Sequence, residues 1–122
     1  AMAVELDPED SWAQVLLGLA YLESGDQESA ARELEGAARL RPGDLDAQLL
    51  ASLALGAEGE EDRAFEMLER ARLTADEAGE EVDLHLVVEV EEQLEGGAAS
   101  ALRFLRQTLG PSSFRERLMQ RP

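Results

Sequence analysis

A chain of 122 residues, 44% hydrophobic and only 4% aromatic, has enough apolar material for one packed domain and too little length for two ordinary cores. A formal net charge of −16 opposes binding to phosphate backbones or anionic lipid, since that affinity comes from Lys and Arg neutralising phosphates, so neither nucleic acid nor membrane is expected as a partner. Zero cysteines exclude disulfides, thiolate metal sites and cysteine nucleophiles, and leave the compartment open. The apolar content is mainly Leu, Ala and Val, which favours closely packed helices over sheets. The longest apolar runs, 15–22 and 49–57, fall short of the roughly 20 residues that cross a bilayer. All eleven basic residues are Arg, and Lys, Asn and Ile are absent, a pattern that reads first as GC-rich coding. The acidity fits a solubilised surface, a basic partner or a salty habitat equally well.

In chain order, the opening "AMA" reads as a leftover of cloning, and "ELDP" ends at Pro8, 34 positions before Pro42. Residues 1–10 are therefore expected to hold that leftover and the tail of a preceding repeat. From 11 to 23, Trp12, Val15, Leu16, Leu19 and Leu22, with Leu17 and Tyr21, follow helical spacing until "SGD" breaks it. Asp26 is placed to cap a second helix carrying Ala30, Ala31, Leu34, Ala37, Ala38 and Leu40 on one stripe, with Arg39 and Arg41 at its negative end and Pro42 as its stop. The plan repeats over 44–58 and 60–74. Gly25 returns as Gly59, Ala30 as Ala64, Leu34 as Leu68, Ala37 as Ala71 and Leu17 as Ala51, each 34 positions on. Gly18, Ala30 and Ala37, like Ser52, Ala64 and Ala71, are small enough for paired helices to approach closely.

A third unit aligns Gly96, Ala101 and Leu105 with Gly59, Ala64 and Leu68 at a step of 37, which places about three extra residues in "TADEAGEE" as an extension of the preceding helix to Gly79. This alignment sets Glu89 where a small residue should pack. Residues 82–90 also alternate as a strand would, but a lone strand in a helical array has no pairing partner, so helix is expected. After Pro111, Ser113 and Glu116 have capping-box spacing, and Phe114 and Leu118 lie one turn apart, which predicts a terminal helix covering the last apolar surface.

Leu17-Gly18-x-x-Tyr21, Gly25-Asp26, Ala30, Leu34, Ala37 and Pro42 together resemble the tetratricopeptide repeat signature over residues 11–44. Trp12 departs from it, standing five residues before Leu17 where the family has an aromatic three before, a place held here by Gln14. Over 45–78 Gly56 and Thr74 depart and the closing Pro is missing. The resemblance implies an all-α, right-handed solenoid in a single domain: repeats at 11–44 and 45–78, a degenerate third at 82–111 and a capping helix at 112–122, about three antiparallel helical hairpins in all. It also implies a soluble protein-interaction module, not an enzyme, that holds a peptide or helix on its concave side. The corresponding positions are Trp12, Val15, Leu19 and Leu22, then Asp46, Leu49, Leu53 and Gly56, then Asp83, Leu86, Val90 and Gln93. The carboxylate clamp of chaperone-binding members is absent, because its places hold Val15, Leu19, Leu50, Asp83 and Val87.

The residues themselves point the same way. The helix at 11–23 is apolar almost all round, and its hairpin partner covers only one face. Burying five such side chains at ~1.5 to 3 kcal/mol each offers on the order of 10 kcal/mol before association costs. Three readings stay open: an apolar receptor groove, an ordinary core covered by the chain's own terminal helix or tighter stacking, and a face buried by another copy in a homodimer. Asp46, Asp83 and Glu23 at the groove edge suit a ligand that is apolar on one face and basic at its margins. His85 and Glu89 at i, i+4 offer two metal ligands, which is short of a site. Glu91, Glu92 and Glu95 read as a solvated face. No phosphate loop or nucleophile elbow occurs, and neither metal nor cofactor is expected. Arg115, Arg117 and Arg121 form a small basic patch, either compensating a helix end or docking on another copy's acidic face.

Overall fold

The computed structural model describes residues 11–107, and the side chains of 13–106 within it. The preceding-repeat tail expected at 1–10 and the capping helix expected at 112–122, with its arginines, lie outside the described residues. Six helices follow one another: α1 Ser11–Ser24, α2 Gln27–Leu40, α3 Leu45–Ala57, α4 Glu61–Ala78, α5 Glu81–Glu95 and α6 Ala98–Gln107. No strand occurs among the described residues. Residues 82–90 are helical because Leu86, Val87, Val90 and Leu94 then share one buried side.

Local chemistry sets the helix ends. Asp26 caps α2, one carboxylate oxygen accepting from the Ser29 N–H at 3.1 Å and the other from the Ser29 hydroxyl at 2.8 Å. Asp44 caps α3 through the Ala47 N–H at 3.3 Å. The extension of α4 stops at Gly79, whose φ of 70° is the left-handed turn that glycine adopts without a Cβ clash.

Each helix packs on its neighbour in sequence, and α3 also meets α5 and α6. Ala30, Leu34 and Ala37 and their counterparts Ala64, Leu68 and Ala71 are all buried. A Cβ on Gly18 would stand 2.7 Å from Leu34 Cγ, so the small residue sets how closely α1 and α2 approach. Ion pairs tie the helices together at the surface: Glu35 of α2 meets Arg39 at 3.1 Å and reaches Arg63 of α4, while Arg72 of α4 meets Glu91 of α5 at 3.3 Å. The Pro42 carbonyl accepts from the Gln48 side-chain amide, and the Thr74 hydroxyl, which donates to the Arg70 carbonyl at 3.1 Å, lies 3.4 Å from it, so the α2–α3 turn rests against α4.

The turns correct the register of the third unit. Gly25, Gly59 and Gly97 have φ of 92°, 81° and 99°, and their N–H groups donate to the carbonyls of Leu22, Gly56 and Leu94 at 3.1, 3.0 and 3.1 Å. The counterpart of Gly59 is thus Gly97, not Gly96, whose φ is −76°. It follows that α5 repeats α3 at a step of 38. Just beyond the turn, Ala30, Ala64 and Ala101 donate to Asp26, Glu60 and Gly97, so α6 repeats α4 at 37. One glycine serves both as the turn residue and as the residue before α6, which shortens that turn by one. Val90 then takes the packing position of Gly18 and Ser52, and Glu89 is exposed.

Candidate functional site

The inner wall expected to hold a ligand is built from α1, α3 and α5. Of its residues Val15, Leu22, Leu49, Leu53 and Val90 are buried in the core, Asp46 is buried at 6% exposure and Leu86 at 8%. Leu19 and Asp83 are half-buried, and the Trp12 side chain lies outside the described residues. Every position of α3 from Leu45 to Gly56 is buried. Among the described residues α3 is therefore core and offers no open apolar groove. Within the described residues α5 and α6 close on the end of α3: a Cβ on Gly56 would stand 2.5 Å from Leu94 Cδ2 and 3.4 Å from Ala101 Cβ. The departure of Gly56 from the repeat signature fits this close approach, since a Cβ there would push against the Leu94 side chain.

The register correction moves the third unit's wall by one residue. Asp46, Leu49 and Leu53 correspond to Leu84, Val87 and Glu91 rather than to Asp83, Leu86 and Val90. Of these, Leu84 is half-buried and Val87 buried, and Glu91 is taken up by Arg72. Complete burial of α3 had a signal in the sequence: LDAQLLASLALGA carries one charged residue in thirteen, and a helix apolar on all sides is buried on all sides.

Apolar exposure lies elsewhere. Leu16, Leu40, Phe65, Leu73, Val82 and Val88 are the large hydrophobic side chains that face solvent among the described residues. A cleft of about 370 Å³ runs between α2 and α4 over Ala38, Pro42, Leu73 and Thr74, with Arg39 and Arg70 at its rim. A second, of about 270 Å³, has Ala31 and Leu55 as its floor and Glu28, Arg32, Glu58 and Arg63 around it.

His85 and Glu89 are both exposed on α5. Among the described residues no group of three or more His, Cys, Asp or Glu gathers for a metal ion, and no helix is long and apolar enough to cross a membrane. The Asp26 carboxyl is held below its ordinary range by the hydrogen bonds from the Ser29 hydroxyl and backbone. No protein-family model, no curated protein and no solved structure matches the chain.

Proposed function

We propose that the chain is a protein-interaction module of tetratricopeptide type, a right-handed solenoid of antiparallel hairpins that binds a segment of a partner protein on faces outside its buried central helix. One observation carries the reading. Turn glycines with the same left-handed φ, followed by buried alanine and leucine at matching positions, recur through all three units, and stacked repeats of this kind serve as extended recognition surfaces. Because α3 is buried from Leu45 to Gly56, this reading places the contact on exposed side chains such as Leu16, Leu73, Val82 and Val88.

Photo-crosslinking tests this. A benzophenone side chain placed at 16, 73, 82 or 88 in cell extract is expected to give adducts to one recurring protein segment, and none when placed at the buried positions 49 and 53. Adducts that merely follow protein abundance overturn the module reading.

A second reading, self-association through the α1 edge, is favoured by one pair of residues. Leu16 is 51% exposed while its counterpart Leu50 is at 0%, so α1 presents a face that in the next unit is covered. Sedimentation of the chain and of Leu16→Glu separates the two: a dimer abolished by the substitution supports self-association, and a monomer in both cases removes it.

A further inference from the structure

We propose that the outward face of α5 is the docking surface for a basic, amphipathic helix of the partner, an inference that rests on the interaction-module reading above. Val82 and Val88 expose 65% and 47% of their area, and His85 sits between them, three residues from each. Glu81, Glu89, Glu92 and Glu95 are exposed around them at the one-turn spacings that bring side chains together on a helix. None of these four glutamates takes part in an ion pair among the described residues. The α4–α5 pair uses Glu91, beside the buried side of the helix.

Two further facts set this face apart from an ordinary solvated one. At a step of 38 its residues His85, Val88, Glu89 and Glu92 correspond to Ala47, Leu50, Ala51 and Ala54 of α3, all of them buried. The same position in the preceding unit is thus a contact face. Valine is also a poor choice for an exposed helical position, since its branched Cβ loses rotamer freedom that only packing offsets. Val87 and Val90 gain that packing in the core. Val82 and Val88 do not, and a helix laid across them would supply it.

Charge decides the occupant. Two copies at −16 each repel one another, and glutamates with no ion pair among the described residues would be desolvated without compensation by an acidic or neutral ligand. A helix with Leu, Ile or Val at i, i+3, i+4 and i+7 and Lys or Arg at the margins buries the valines and pairs the glutamates.

The test uses a labelled synthetic Leu–Lys helix with its leucines on one face, and a peptide of equal composition with the pattern scrambled, titrated by fluorescence anisotropy. The patterned peptide is expected to bind the more tightly. Val82→Ser combined with Val88→Ser, which leaves the charge unchanged, should weaken it about tenfold or more. Glu89→Gln with Glu92→Gln should weaken it severalfold and flatten its salt dependence, and Glu28→Gln, exposed on α2, should change nothing. Circular dichroism confirms that each variant is folded. Equal binding of the two peptides, or indifference to the valine substitutions, overturns the proposal. If Leu73→Ser or Leu16→Ser is what weakens the patterned peptide, the α5 assignment falls while the module reading stands. A chain that self-associates until Val82 and Val88 are replaced overturns it in favour of a second copy.

Discussion

Helices α3 and α5 each end in a left-handed glycine turn of the same hydrogen-bonded form, at Gly59 and Gly97, yet α3 is buried from Leu45 to Gly56 while seven of the fifteen α5 positions are exposed. The difference shows how one local plan meets two environments. The helix with neighbours on every side becomes core and keeps almost no charge. The helix with partners on one side keeps its glutamates on the other, with Val82 and Val88 among them.

The sharpest way to break this comparison is to place a charge at equivalent positions. Leu50→Asp buries an unpaired carboxylate and should cost more than about 4 kcal/mol in urea unfolding, enough to threaten the fold, whereas Val88→Asp should stay within about 0.5 kcal/mol. Similar losses from the two would mean that α3 and α5 are not differently covered.

Next in size is the close approach of α5 and α6 to α3. Gly56→Ala sets a Cβ 2.5 Å from Leu94 Cδ2 and 3.4 Å from Ala101 Cβ. Overpacking of this kind costs about 1–3 kcal/mol, against a helix-propensity gain of up to about 1 kcal/mol, so a net loss is expected. A stabilised variant would mean that the Leu94 side chain swings aside to admit the methyl group.

The register of the third unit is sharpened by its turn. Gly97→Ala should cost about 1–2 kcal/mol, as should Gly25→Ala and Gly59→Ala, because each forces a Cβ into a left-handed conformation. Thermal midpoints of the three variants check whether the losses match. A harmless Gly97→Ala would return the turn to Gly96.

The smallest effect belongs to the α2 cap. The folded-state pKa of Asp26 is lowered by the hydrogen bonds from Ser29, so its contribution is present above the unfolded carboxylate value of about 4 and disappears as pH falls through the lower folded value. Asp26→Ala should lower the thermal midpoint slightly at neutral pH, with the gap from the parent chain narrowing in acid. A gap that widens in acid would show that the hydrogen-bonded carboxylate is not what stabilises the cap.

Much of the fold was legible in the residues. "SGD" placed the first turn, Asp26 the cap of α2, Gly79 the end of a lengthened α4, and Ala30, Leu34 and Ala37 the packing stripe. All are signals acting within a few residues. The candidate wall was less legible. Leu49 and Leu53 read equally well as groove or as core, because apolar spacing says that a face is covered without saying by what. The third turn was placed at Gly96 rather than Gly97 because adjacent glycines look alike in sequence, and only their φ angles separate them.

The sequence alone determined the helices, their caps and the small residues where helices touch, since propensity, capping and steric size are local properties. The closing of α5 and α6 on α3, the position of the third turn and the exposure of Val82 and Val88 among the described residues were decided by tertiary structure. Each depends on which distant surface arrives first at a helix side that several could fill.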